Sequence, residues 1–274
     1  MSFDKDNRTI TVIGATGNQG GAVTRHLVKN GWPVRAVTRD PSSDRSQQLL
    51  ALGSNVELAK ADLNDSEALE STFSDTYGVF SVQNFWTSGG ATAETQQGKN
   101  TALAAKNAEV EHFVYSSVGS AQLHTGLAHF ESKFAVEEYI RELTLPATII
   151  RPVYFMENFL FFPDLKEGLA KGTLAMGLPP DRQPQLIALD DIGGIAAAVF
   201  EEPERYIDQA LDIAGDEVTM PQVATGFSEK LSKPIAYQPV PLGAIYEADV
   251  EMGKMFTGSL RLGIVLKSDS KGSF

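Results

Sequence analysis

The 274-residue sequence contains no cysteine, which excludes disulfides, thiolate metal centres and cysteine nucleophiles and is compatible with a reducing compartment. Basic residues are few: 23 Lys and Arg stand against 35 Asp and Glu, giving a net charge of −12. Nucleic-acid phosphates are held chiefly by clustered Lys and Arg, so no direct nucleic-acid partner is expected. No apolar run reaches the ~20 residues that a membrane span needs. The stretch from Met1 to Arg8 is polar with mixed charge, unlike a secretory leader with its basic and then apolar segments. The expectation is a cytoplasmic protein without membrane insertion. The four histidines, His26, His112, His124 and His129, have no metal-ligand spacing, and no metal is expected. Internal repeats of roughly 20–50 residues are also absent.

What is present is an ordinary globular composition, 42% hydrophobic and 21% charged. Between Thr9 and Arg151, β-branched or apolar runs alternate with helix-period segments, the pattern of a parallel sheet covered on both faces. Strands are predicted at 9–14, 33–38, 55–61, 78–82, 111–117 and 147–151, with helices at 18–29, 43–52, 66–73, 93–108 and 128–143. This is a doubly wound α/β order. After Pro152 the rhythm changes to an aromatic-rich helix candidate and a Gly/Pro-rich stretch from Gly168 to Pro180. A helix from Asp190, a strand at 210–214, a helix from Met220, a strand at 235–239 and a helix near 242–256 follow. Residues 1–151 are therefore assigned to a Rossmann domain. Residues 152–274 form a smaller substrate lobe partly continuous with it, ending in a loosely held tail at 267–274.

The sharpest motif is Ile10-Thr11-Val12-Ile13-Gly14-Ala15-Thr16-Gly17-Asn18-Gln19-Gly20, a buried strand running into glycines at every third position and then a helix. Gly14 permits the tight turn, Gly17 lets backbone approach a pyrophosphate, and Gly20 lets the helix pack closely. The helix N-terminus offers open N–H groups and positive dipole to the phosphates. The second strand faces the adenosine ribose, where an acidic residue favours NAD and an arginine favours the 2′-phosphate of NADP. It ends Val37-Thr38-Arg39 with Asp40 next, and Arg39, with positive potential from Arg35, points to NADP(H). Asp62 either accepts from an adenine amino group or caps the helix beginning near Asp65, and the residues leave both open.

The glycine run with Gln19, the segment Ala36-Val37-Thr38-Arg39-Asp40-Pro41, the Asp62 segment, Phe113-Val114-Tyr115-Ser116-Ser117 and His129-Phe130-Glu131-Ser132-Lys133 together resemble the NmrA-like branch of the atypical short-chain dehydrogenase/reductases. The resemblance implies an NADP(H)-binding Rossmann domain with a small C-terminal substrate lobe. It covers both redox-sensing regulators without turnover and reductases of quinones and other small conjugated molecules. The typical enzyme of this class uses Tyr-x-x-x-Lys, and His129 stands at the tyrosine position here. Lys133 follows four residues later on the same helical face, in a stripe with Val136 and Ile140, so it reaches the nicotinamide ribose or else forms a surface pair with Glu137. An ammonium at Lys133 would keep His129 mostly neutral, leaving it as a weak proton donor or a packing residue. Tyr154 is a substitute donor by position.

Ser116 and Ser117 end the fifth strand, and Gln83 follows the fourth, where doubly wound folds place ligand contacts. Pro152 and Val153 lie where backbone can bind the nicotinamide carboxamide. An apolar substrate cleft is expected from Asn84, Phe85 and Trp86 together with Tyr154, Phe155, Asn158 and Phe159, although core packing explains such aromatic clusters as well. Two functions follow. One is reduction of a small apolar conjugated acceptor, such as a quinone, enone or iminium, by hydride transfer. The other is a non-catalytic NADP(H) sensor acting through a protein partner. The missing tyrosine favours the sensor and the aromatic-rich lobe favours the reductase.

Overall fold

A computed structural model of the chain describes Lys5 and residues 8–262, with side chains as far as Thr257. The predicted tail at 267–274 lies outside the described residues. The described residues form two compact units, one running to Arg151 and resuming at Leu189–Leu211, the other Pro152–Ala188 and from Asp212 onward.

The first unit opens with β1 (Thr9–Val12), α1 (Asn18–Lys29), β2 (Val34–Thr38), α2 (Asp44–Leu50), β3 (Val56–Lys60), α3 (Ser66–Phe73) and β4 (Thr76–Ser81). It continues through α4 (Phe85–Ser88), α5 (Ala91–Asn107), β5 (His112–Ser116), α6 (Ala128–Glu142) and β6 (Ala147–Pro152). The strands lie in the order β3-β2-β1-β4-β5-β6 with every pairing parallel, as short strands joined through helices require. The order reverses between β1 and β4. At such a switch point the loops beyond the carboxyl ends of the strands open a crevice.

Ile13, Val37, Phe73, Val79, Phe113, Tyr115, Val136 and Ile140 form one continuous buried cluster on one face of the sheet, and Ile10, Val12, Phe80, Val114 and Ile150 are buried on the other, as strands apolar on both faces require. The chain returns to this unit after its excursion through the second, with α9 (Leu189–Glu201), α10 (Pro203–Tyr206) and β10 (Ala210–Ile213), the last at the sheet edge beside β6. A Cβ on Gly193 of α9 would stand 2.7 Å from the Ala22 backbone of α1, so the return depends on glycine at this close helix contact.

The second unit contains β7 (Tyr154–Phe155), α7 (Asn158–Phe161), α8 (Pro163–Lys171), β8 (Thr173–Met176) and β9 (Gln185–Ile187). It resumes with β11 (Asp216–Glu217), α11 (Met220–Leu231), β12 (Ala236–Pro239), α12 (Leu242–Ala248) and α13 (Val250–Leu262). Its strands form small sheets, β11-β9-β7 and β12-β8, over a core of Phe159, Leu174, Leu186, Met220 and Phe256. The aromatic run after Pro152 is not one helix: Tyr154 and Phe155 pair with Leu186 and Ile187, and only then does a four-residue helix form. The single helix predicted near 242–256 is two, because Asp249 is extended and its side chain accepts from Met252 N at 3.0 Å, capping α13.

Candidate active site

The loop from β1 to α1 has the backbone its glycines require. Gly14 has φ +70, and a Cβ there would lie 3.1 Å from Val82 Cγ1 at the end of β4. Gly17 N donates to Gly14 O at 2.8 Å, closing the turn. A Cβ on Gly20 would fall 2.3 Å from Gly14 O and 2.5 Å from Gly14 C, so α1 can start against this loop only with glycine at that position. The helix has no side-chain cap at Gly17 and no acidic residue in its first turn. Thr16 is half-buried, and Gly17 and Asn18 are exposed at the tip. The first-turn amides are thus left for an anion, which is what pyrophosphate binding needs.

Arg39 follows β2 on the same edge and is exposed. Asp40 turns away into its own loop: its carboxylate accepts from Ser42 N at 2.9 Å and Ser42 Oγ at 2.6 Å, and these bonds hold it below the ordinary carboxylate range. Arg35 does not join Arg39, which corrects the expectation that it adds positive potential there. Near the start of β2, Arg35 donates to Glu57 Oε1 at 2.6 Å and to the carbonyls of Thr72 and Ser74 at 2.8 and 2.9 Å. Four strand residues, roughly 13 Å, separate the two. Asp62 is exposed and does not cap α3, because Asp65 does so through Ala68 N at 3.0 Å. Asp62 Oδ1 instead accepts from the backbone and side chain of Asn64, both at 2.8 Å.

Behind the loop, Ser116 Oγ at the end of β5 donates to Gln19 Oε1 at 2.6 Å, joining two expected cofactor residues directly. Gln83, two residues beyond β4, is buried, and its carbonyl accepts from Lys133 Nζ at 3.1 Å. Lys133 therefore sits at the carboxyl edge of the sheet. It is not a surface residue paired with Glu137. Its ion-pair partner is Glu94 of α5, whose Oε1 is 3.0 Å away and whose side chain is fully buried. Glu137 takes Arg151, with Nη2 at 2.6 Å and Nε at 2.9 Å, along with Arg141 and Ser117. Burial alone would raise the Glu137 carboxyl, but the hydrogen bonds from Arg151 and Ser117 and the guanidinium charge hold it below its ordinary value.

The Lys133 ammonium, one turn along α6 from His129, is paired with the Glu94 carboxylate. His129 is buried in the first turn of α6. Its ring centroid lies 5.8 Å from Phe85, 5.1 Å from Trp86 and 4.7 Å from Phe130. The histidine and the two aromatics expected to touch substrate are thus one cluster. Asn84 supports it by capping α4, accepting from Trp86 N at 3.0 Å and Thr87 N at 3.2 Å, while Trp86 is 59% exposed.

The remaining expected residues lie at the end of the sheet or in the second unit. Pro152 is the last residue of β6 and is buried, and Val153 is half-buried beyond it. Phe155 is half-buried in β7, in register with Ile187. Phe159 is 2% exposed inside the second unit's core, so it packs there and is not a pocket wall. Tyr154 packs on it at 5.8 Å between ring centroids. Burial pushes the Tyr154 hydroxyl up despite a hydrogen bond with Asn158, opposite to the direction a proton donor needs. Among the described residues, no group of three or more His, Cys, Asp or Glu is placed to hold a metal ion, and no helix is long and apolar enough to cross a membrane.

The sheet order, the crevice between β1 and β4 and the glycine loop define a Rossmann-type α/β protein. The chain belongs to the NmrA-like family, whose sequence model matches residues 6–262. An NmrA-like family domain-containing oxidoreductase from Cladobotryum sp. is 34% identical over 257 residues, covering 84% of this chain and 76% of the relative. Among solved structures, the NADPH-dependent quinone oxidoreductase of Escherichia coli complexed with NADPH aligns with a TM-score of 0.77 at 22% identity, over 95% of this chain and 92% of that one. The negative transcriptional regulator NmrA in complex with NADP aligns with a TM-score of 0.76 at 22% identity, over 98% and 87%. The fold therefore accommodates both an enzyme and a regulator.

Proposed function

We propose that the protein is an NADP(H)-dependent reductase that delivers hydride to a small, apolar, conjugated acceptor such as a quinone, enone or iminium. The observation that carries the cofactor half is the loop itself: Gly20 leaves no room for a Cβ, and the first turn of α1 is neither capped nor acidic. The backbone of Gly14, Thr16, Gly17, Asn18, Gln19 and Gly20 holds the pyrophosphate, and Arg39 takes the 2′-phosphate. Asp62 keeps one carboxylate oxygen for the adenine amino group. Gln83, Ser116 and Lys133 line the nicotinamide ribose side. When bound, NADPH supplies the hydride.

The chain's own residues position and shield. Asn84 fixes the turn that carries Phe85 and Trp86, and with His129 these rings offer an apolar, flat-faced wall. A conjugated acceptor is already polarised for hydride addition, so it does not depend on a strong protein acid where tyrosine is missing. The proton that follows can come from solvent, and His129 acts here through its ring contacts. The test is NADPH oxidation over a panel of quinones, enones, imines and aldehydes, run beside cofactor binding on the same sample. Turnover with quinones or enones is expected. Tight NADPH binding with no oxidation across the panel would refute the reductase and leave a sensor acting through a protein partner.

A further inference from the structure

Glu94 is a carboxylate removed entirely from solvent at the edge where the cofactor is proposed to bind. A buried carboxylate costs several kcal/mol in desolvation unless it is paired, and as a source of stability alone it does no better than an apolar side chain. Its surroundings are specific. Oε2 accepts from Ser132 Oγ, and Oε1 lies 3.0 Å from Lys133 Nζ, so one residue of α5 grips two successive residues of α6. The helices approach closely enough for this because Gly98, one turn after Glu94, has no Cβ: one there would lie 2.5 Å from Val136 Cγ2, one turn after Ser132. An ammonium has three donors. Gln83 O takes one at 3.1 Å, the Glu94 carboxylate stands 3.0 Å away as a counter-charge outside hydrogen-bond geometry, and N–H capacity remains for a ligand.

We propose that Glu94 is a positioning residue: with Gln83 O it fixes the Lys133 ammonium so that the remaining N–H meets the ribose diol of the cofactor. The inference rests on the proposed role of Lys133 as a ribose contact, and it extends that role to a residue on a different helix that does not itself touch the cofactor.

The experiment is a double-mutant cycle on NADPH affinity, measured by calorimetry with Glu94→Gln, Lys133→Gln and the double variant, alongside thermal melts. Glu94→Gln keeps the shape and an acceptor for Ser132 but removes the charge that holds the ammonium. It is expected to weaken NADPH binding about tenfold, the loss of one charge-assisted contact. In the Lys133→Gln background the same change is expected to cost less than about twofold, because it then has nothing to position. Equal weakening in both backgrounds would overturn the proposal, since a merely structural carboxylate acts regardless of Lys133. So would unchanged affinity in Glu94→Gln while Lys133→Gln binds weakly. Unchanged affinity in Lys133→Gln would instead remove the ribose contact itself, and with it the basis for Glu94. If Glu94→Gln does not fold, Ser132→Ala, which frees the other carboxylate oxygen, is expected to give a smaller loss in the same direction that also vanishes with Lys133→Gln, and its persistence there would overturn the proposal.

Discussion

Replacing Gly20 by alanine tests the loop geometry with a single methyl group. Alanine is the better helix former by about 1 kcal/mol, so helix propensity alone predicts a stabler protein. The added Cβ would nevertheless sit 2.3 Å from Gly14 O, 2.5 Å from Gly14 C and 2.9 Å from Ala15 N, all backbone atoms that cannot swing aside. Ordinary contact requires the loop to retreat by roughly 1 Å, and such overpacking costs about 1–3 kcal/mol, leaving a net destabilisation of about 0–2 kcal/mol. An amide displaced by ~1 Å leaves hydrogen-bonding range of a phosphate oxygen, a loss of about 2 kcal/mol or roughly thirtyfold in affinity. Calorimetric titration with NADPH, paired with a thermal melt, separates the two effects. Undiminished NADPH affinity at an unchanged melting temperature would contradict this, because the methyl group would then have been accommodated without moving the loop.

The order of effects at the reaction centre is expected to be Lys133→Ala before His129→Ala. The first should weaken NADPH binding and lower kcat, whereas the second should change kcat little and raise the acceptor's KM by up to about tenfold through lost ring contacts. A large kcat loss in His129→Ala with intact NADPH binding would identify the imidazole as the proton donor. Trp86→Ala should likewise raise the acceptor's KM by up to about tenfold while leaving NADPH affinity unchanged, and a fall in NADPH affinity would argue against its place on the acceptor side.

Stability should also fall in mild acid through His112. Burial lowers its imidazole from 6.5 to about 4. Between those values the unfolded chain binds the extra proton, so stability declines as pH falls through the window, by about 3 kcal/mol in all. Denaturant unfolding of wild type against His112→Gln should show this loss in the wild type alone, and parallel pH profiles would contradict it.

The parallel sheet and the glycine loop were legible because their signals are local. Alternation of strand and helix, and glycines at fixed offsets, are properties of neighbouring residues, and α1 and α3 match the ranges predicted for them. The second unit was less legible. β8 lies within a Gly/Pro-rich stretch and is a strand through its pairing with β12, which no local pattern announces. Site residues divide in the same way. Gln19 and Ser116 stand out by position in motifs, and the structure joins them. Glu94 has no motif, since an acidic residue on a polar, alanine-rich helix reads as solvated until the packing of α5 on α6 buries it. Arg35 misled for the converse reason: charge type and closeness in sequence suggest that it reinforces Arg39, but strand geometry sends it to Glu57 near the other end of β2.

Calorimetric titration of NADPH and NADH into the wild-type protein and into Arg39→Ala reads the cofactor assignment itself. Arg39 is the exposed cation at the end of β2, and Asp40 is turned onto Ser42. NADPH should therefore bind more tightly to the wild type by about 1.5–3 kcal/mol, and the variant should lose most of that difference with little change for NADH. Equal affinity for the two cofactors in the wild type, or a preference that survives Arg39→Ala, would contradict the assignment.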